Sequence, residues 1–145
     1  MIRIEEHDGA LSESEQAVVC AGFREHSEEQ RAPAFIRKQL KWLGCDEEGE
    51  LRAALTAEVV WDWMYIDELW VGRELRGAGV GTRLMESAEE WASSAGLQGI
   101  WLWTQDWQAA GFYERLGYRE FCRFPNFPTG FERIGLRKVI GPVSD

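Results

Sequence analysis

Basic charge is in short supply in this chain. Sixteen Lys and Arg face 25 Asp and Glu, so the formal net charge is −9. Nucleic-acid binding requires neutralising phosphates, and this balance argues against such a partner. Long apolar runs are missing too. Nowhere do eighteen apolar residues follow one another, which excludes a helical membrane span. The opening Met1-Ile2-Arg3-Ile4-Glu5-Glu6 lacks the basic and apolar regions of a signal peptide. The expectation is a cytoplasmic protein with no membrane partner. The three cysteines, Cys20, Cys45 and Cys122, are odd in number and widely spaced. They suggest neither a disulfide framework nor a zinc site, so they read as buried or inert thiols and no metal is expected. His7 and His26 stand outside every motif found below and read as surface residues.

What is present is enough for one good core. With 145 residues, 45% hydrophobic and 12% aromatic, the chain fits a single domain over residues 1–145. Residues 1–50 hold 6 basic and 12 acidic side chains, a net of −6, against 10 and 13 in residues 51–145, a net of −3. An acidic field attracts a cationic small molecule or a basic protein. The same charge also serves simply to keep a surface soluble.

The local patterns alternate between periods of two and 3.6. Ile2 to Glu6 alternates and reads as a strand. Ser12 and Glu15 form a capping box in sequence, opening a helix with Val18, Val19 and Phe23 as apolar positions. Ser27 to Pro33 is polar and reads as a loop or a short second helix. Residues 36–43 read as a strand, Asp46-Glu47-Glu48-Gly49 as a hairpin turn, and Leu51 to Val60 as the next strand. Trp61-Asp62-Trp63 breaks the run, and Met64 to Val71, rich in aromatic and β-branched residues, resumes it. Val80, Leu84, Ala88, Trp91, Ala92 and Ala95 recur at helical spacing, placing Trp91 in the core, and Gly96 ends that helix. Ile100 to Thr104 is a strand, Gln108 to Leu116 a short helix stopped by Gly117, Tyr118 to Phe124 a strand, and Phe131 to Val139 the last strand. The order predicts an α/β fold with a mixed sheet. The last strand is free to pair between subunits, so a homodimer is an option.

The most informative stretch lies between the Met64–Val71 strand and the helix after it: Arg76-Gly77-Ala78-Gly79-Val80-Gly81. Its glycines permit a tight turn and close approach of backbone amides to a ligand. The helix that follows aims its positive end at the same place, which suits an anion, most often phosphate. A P-loop needs a lysine and then Ser or Thr after its last glycine, and here Thr82 follows Gly81 directly. The dinucleotide fingerprint has a different glycine spacing and stands near the start of its fold. What fits is Arg/Gln-x-x-Gly-x-Gly/Ala. This stretch resembles the acetyl-CoA pyrophosphate loop of the GNAT superfamily of N-acetyltransferases, and the preceding Ile66-Asp67-Glu68-Leu69-Trp70-Val71 resembles the strand that leads into it. Gln108-Ala109-Ala110-Gly111-Phe112-Tyr113-Glu114-Arg115-Leu116-Gly117-Tyr118 resembles a second segment of the same superfamily. Together the two cover about residues 64–120. One position departs from the pattern: where many relatives keep an Asn, this chain has Asp106, which cannot donate a hydrogen bond when ionised.

The resemblance implies a single-domain GNAT-like fold. It would have a mixed, mostly antiparallel sheet of about six or seven strands, flanked by helices, with two splayed parallel central strands. It further implies that acetyl-CoA, as co-substrate, lies where Met64–Val71 and Ile100–Thr104 part. Main-chain groups of Leu69 and Val71 would pair with the pantetheine arm. Amides of Gly77, Ala78, Gly79, Val80 and Gly81 would meet the pyrophosphate, with Arg76 and Thr82 adding side-chain contacts. Tyr113 stands where such enzymes keep a general acid, and a phenol of pKa about 10 suits a thiolate whose thiol has a pKa near 8.5. The nucleophile would be a substrate amine, on the order of one part in 10³ neutral at pH 7, so a base is needed. Glu68 and Asp67 are the candidates, Glu68 preferred, since alternation lets only one face the acceptor. Trp61, Trp63, Trp101, Trp103 and Trp107 either pack the sheet or wall a cationic acceptor by cation–π attraction. The loop at Gly130-Phe131-Glu132-Arg133 resembles one that carries acceptor contacts in small bacterial-type members.

The implied function is direct acetyl transfer to the primary amine of a small, cationic acceptor. No cysteine stands in either segment to carry the acyl group. The alternatives are a non-catalytic acyl-CoA-binding or regulatory module on the same fold, and a nucleotide-binding protein that uses the glycine turn for ATP or NAD.

Overall fold

A computed structural model describes residues 1–141. Two compact units emerge, Met1–Phe35 and the chain from Ile36 onward.

The first unit holds helix α1 (Glu13–Glu29). Its capping box is made in full. The Ser12 hydroxyl accepts from the Glu15 N–H at 3.2 Å, and the Ser12 N–H donates to the Glu15 carboxylate at 2.7 Å. The helix runs through Ser27 and ends only at Glu29, so the polar stretch read as a loop is partly its last turn. Ile2–Glu6 is not a strand. Alternation alone does not make one, because a strand exists only by pairing its backbone with a neighbour.

The second unit is a six-stranded sheet made of β1 (Arg37–Cys45), β2 (Leu51–Val60), β3 (Trp63–Val71), β4 (Gly99–Gln105), β5 (Arg119–Pro125) and β6 (Glu132–Val139). The order across the sheet is β1-β2-β3-β4-β6-β5. Only β3 and β4 are parallel; every other pair is antiparallel. Helix α2 (Val80–Ser94) makes the crossover between the parallel pair, and α3 (Ala110–Arg115) follows β4. The architecture is the mixed α/β sheet expected. One expectation is corrected: β6 lies between β4 and β5, with both edges paired, so the last strand is not free to pair with another subunit.

Local chemistry explains the turns. Asp46 Oδ1 accepts from the Glu48 and Glu50 amides at 3.0 and 2.9 Å, and Gly49 takes φ +83°, which closes the β1–β2 hairpin. The β2–β3 connection is a two-residue loop, Trp61-Asp62, so Trp63 belongs to β3. Gly96 and Gly117, at φ +75° and +95°, follow the ends of α2 and α3. The short helix is briefer than its sequence pattern suggested, beginning at Ala110 rather than Gln108.

The core lies between α2 and one face of the sheet. Leu84, Met85, Ala88 and Ala92 pack onto Leu55, Met64, Ile66, Ile100, Leu102 and Leu136, all buried. Trp91 is only partly buried, and Lys38 Nζ sits 5.3 Å from the centre of its ring. Tyr118 is the largest fully buried side chain. Its hydroxyl donates to Glu89 Oε1 at 3.0 Å. Lys138 Nζ donates to both Glu89 oxygens at 3.2 Å and to the Leu116 carbonyl at 2.8 Å. One satisfied network thus fastens α2, the end of α3 and β6 together. The cysteines are free but not buried: Cys20 and Cys45 are exposed and Cys122 half-buried.

Candidate active site

The parallel pairing of β3 and β4 runs from Trp63↔Gly99 to Ile66↔Leu102 and then stops, although β3 continues to Val71 and β4 to Gln105. A V-shaped gap opens there. Its cause is a bulge. Thr56 of β2 pairs with Glu68, and Ala57 with Ile66, leaving Asp67 as the extra residue. A bulge bends its strand and strengthens the local twist, which turns β3 away from β4. The Glu68 N–H donates to the Thr56 hydroxyl at 3.1 Å, so the interrupted ladder stays satisfied.

The bulge also corrects the alternation argument for the two carboxylates. Met64 and Ile66 are buried, and the inward positions then resume at Leu69 and Val71. The inward phase has shifted by one residue. Asp67 and Glu68 therefore both face away from the core, and the choice of one over the other no longer holds. Both line a groove of about 420 Å³ with Thr56, Glu58, Gln39 and Lys41. Glu58 is engaged by Arg37, bidentate.

The main chain of β3 is directed with equal clarity. The Glu68 N–H turns toward β2, and so does the Gly72 N–H, which donates to the Arg52 carbonyl at 2.7 Å. Edges alternate along a strand, so the polar groups of Leu69 and Val71 face the other way, into the gap. Arg76 marks this edge: its Nε–H donates to the Val71 carbonyl at 3.4 Å.

The glycine turn stands at the mouth of the gap. After a single 3₁₀ turn at Arg73–Leu75, Gly77 and Gly79 take φ +83° and +79°, a region that side chains with a Cβ resist. Gly79 caps α2 without a side-chain acceptor. The first intrahelical bond runs from the Arg83 N–H to the Gly79 carbonyl at 3.1 Å, so the amides of Val80, Gly81 and Thr82 have no acceptor in the helix. Gly81 packs closely: a Cβ on it would reach contact distance of Phe112 Cζ at 3.4 Å and Val71 Cγ2 at 3.7 Å, leaving room for a methyl and little more. The two sequence motifs meet at this point.

Tyr113 belongs to the core side. It packs on Phe112 and Tyr118, with ring centres 5.1 and 6.1 Å away, and burial pushes its phenol above the ordinary range. Glu68 lies on the opposite face, so the sheet separates the two candidate catalytic groups everywhere except across the gap. Asp106 is occupied structurally: its carboxylate accepts the Glu132 N–H at 2.9 Å, and its own N–H donates to the Glu132 carbonyl at 3.0 Å. Among the described residues no cluster of His, Cys, Asp and Glu suits a metal.

Two of the five tryptophans already face a cation of the protein itself, which favours the packing reading for them, whereas Trp61 and Trp107 are exposed. The Arg133 guanidinium lies 4.9 Å from the Trp103 ring, and Arg137 lies 6.0 Å from Trp63. Tyr65 was not singled out in the sequence, and Arg133 entered only as the end of the Gly130–Arg133 loop. They come together here because β3, β4 and β6 are neighbours, a pairing that no short stretch of sequence announces.

Residues 10–118 match the acetyltransferase (GNAT) family. The chain belongs to that family. Among curated GNAT relatives, the blasticidin-S acetyltransferase of Streptomyces morookaense is 45% identical over 87 residues, 59% of this chain and 64% of that protein. The chain therefore spans less than two thirds of that relative's length. An acetyltransferase from Bacillus cereus ATCC 14579 has the same GNAT fold, with a TM-score of 0.78 at 22% identity over 93% of this chain and 98% of its own. An aminoglycoside 6'-N-acetyltransferase solved with coenzyme A superposes at a TM-score of 0.65, with 23% identity over 83% of this chain and 81% of its own.

Proposed function

We propose that this GNAT chain acts as one transferase domain that moves an acetyl group from acetyl-CoA directly to the primary amine of a small molecule. The observation that carries the reading is the gap. One wall is the main-chain edge of Leu69 and Val71, whose Val71 carbonyl accepts from Arg76, and its mouth holds amides at the start of α2 that have no acceptor in the helix. Such an edge pairs with an extended pantetheine arm as a strand would, and the amides suit a pyrophosphate. The aminoglycoside acetyltransferase of the same fold was solved with coenzyme A, which supports this placement.

In this reading the amine enters from the face that carries Asp67 and Glu68 and attacks the thioester carbon through the gap. The carbon–sulfur bond breaks, the amine proton passes to Glu68, directly or through water, and coenzyme A leaves as thiolate. Tyr113, kept protonated by burial, donates a hydrogen bond to that sulfur. The carboxylates favour a cationic acceptor. The relative named for blasticidin S makes that compound the first acceptor to test.

Thermal unfolding with acetyl-CoA, and with ATP and NAD as controls, tests the cofactor. A ligand at a hundredfold excess over Kd raises stability by about 2.7 kcal/mol, so acetyl-CoA alone should raise Tm by several degrees. Free thiol release with blasticidin S and a panel of amines then tests transfer. Absence of any shift in a folded sample would sink the reading.

A further inference from the structure

We infer that Arg133 anchors a carboxylate on the acceptor, so that the acceptor carries an anion beside the amine that is acetylated. This rests on the transferase reading and names a finer substrate class within it.

Arg133 pairs with Gln105 across β4 and β6, and the next residue, Ile134, is buried in the core. Arg133 thus lies on the face shared with Tyr65, Asp67 and Trp103. Its guanidinium stacks against two rings, 4.9 Å from Trp103 and 4.7 Å from Phe127. Phe127 is itself held in place. With its amide O and N exchanged, the orientation its neighbours satisfy, Gln105 donates to the Phe127 carbonyl at 2.9 Å and the Glu132 carbonyl at 3.1 Å, and the Phe127 N–H donates to the Phe131 carbonyl at 3.1 Å. Rings fix the plane of a guanidinium; one Arg133 donor bonds the Tyr65 hydroxyl, and the remaining donors form the rest of its edge. That edge is a fork matched to a carboxylate.

The protein supplies no carboxylate for that fork. Arg37 is paired with Glu58, Arg52 with Asp46 and Glu74, Arg123 with Glu120 and Glu132, and Lys138 with Glu89. Arg133 has no such partner among the described residues; other basic side chains share that, and what sets Arg133 apart is its close stacking on both Trp103 and Phe127. Its neighbour in sequence, Glu132, is taken by Arg123. The opposite charge, Asp67, lies on the same face. Burial raises the Tyr65 phenol and the charge of Asp67 raises it further, while the charge and hydrogen bond of Arg133 oppose this. A positive fork and a carboxylate on one face of the sheet match a molecule that carries a carboxylate and an ammonium.

The test uses the full chain and paired acceptors that differ only in the carboxylate: lysine against cadaverine, arginine against agmatine, and β-alanine against its methyl ester. Free thiol release gives kcat/KM for each. The wild type should favour the carboxylate-bearing member by about tenfold or more, carried in KM, the scale of a charge-assisted contact. Arg133→Gln should collapse that ratio toward one, and Arg133→Lys, which keeps the charge but not the fork, should restore part of it. An unchanged acetyl-CoA-induced rise in Tm shows that each variant is folded. A wild type that uses both members equally, or a ratio that survives Arg133→Gln, overturns the subsite alone. No rise in Tm with acetyl-CoA overturns the transferase reading and the subsite with it, and so does a rise without turnover of any pair.

Discussion

A Cβ placed on Gly81 would stand 3.4 Å from Phe112 Cζ. Gly81 ends the glycine turn and Phe112 lies on α3, so the two motifs that are distant in sequence close on one another beside Val71. The distance allows a methyl and little more. Gly81→Ala should therefore keep most of the stabilisation by acetyl-CoA, whereas Gly81→Leu, which must displace Phe112 or fill the gap, should abolish it. Thermal unfolding with and without acetyl-CoA checks both. A Gly81→Leu protein with an undiminished shift would show that the cofactor lies elsewhere.

Gly77 and Gly79 obey a different constraint. A Cβ at either meets open space, but both have positive φ. Gly77→Ala and Gly79→Ala should each cost about 1 kcal/mol of stability through backbone strain, measured by denaturant unfolding.

Asp67 and Glu68 share one face because of the bulge, so their roles must be separated by kinetics. Glu68→Gln should lower kcat on the order of 10²-fold, the scale of a lost general base. Asp67→Asn should act mainly on KM for the acceptor. The reverse pattern would exchange the two assignments. Tyr113→Phe should lower kcat and leave KM for acetyl-CoA nearly unchanged.

All three tyrosines are shifted in one direction. Burial raises Tyr65, Tyr113 and Tyr118, and the charge and hydrogen bond of Glu89 add to the effect on Tyr118. A phenol whose folded pKa exceeds its unfolded value of about 10 contributes stability that is full below that value and is lost as pH rises through the folded pKa. Stability should thus fall as pH rises above about 10, and tyrosinate absorbance should appear at higher pH in the folded protein than in the unfolded chain. Titration of any tyrosine in the folded protein near pH 10 would contradict this.

Elements with local signals were legible in the sequence. The Ser12–Glu15 box, the Asp46–Gly49 turn, the Leu51–Val60 strand and the glycines after α2 and α3 are all chemistry within a few residues. Ile2–Glu6 misled because alternation is a local pattern and pairing is not. The bulge at Asp67 was hidden for the same reason, since the residue it opposes is Thr56 on another strand. So was the stacking of Arg133. The Trp103 ring looked available for a substrate cation until β6 placed the protein's own guanidinium over it.

Asp106 offers a last discrimination between a cofactor contact and a structural one. Its carboxylate accepts the Glu132 N–H while its own N–H meets the Glu132 carbonyl, so it splices the end of β4 to the start of β6. An Asn keeps the acceptor oxygen, and Asp106→Asn should therefore be close to neutral in stability. Asp106→Ala leaves that N–H without its partner and should cost about 1–2 kcal/mol. The loosened strand start carries Arg133, so the alanine variant should raise KM for the acceptor more than KM for acetyl-CoA. Equal increases in the two constants, or a larger effect on acetyl-CoA, would place Asp106 with the cofactor instead.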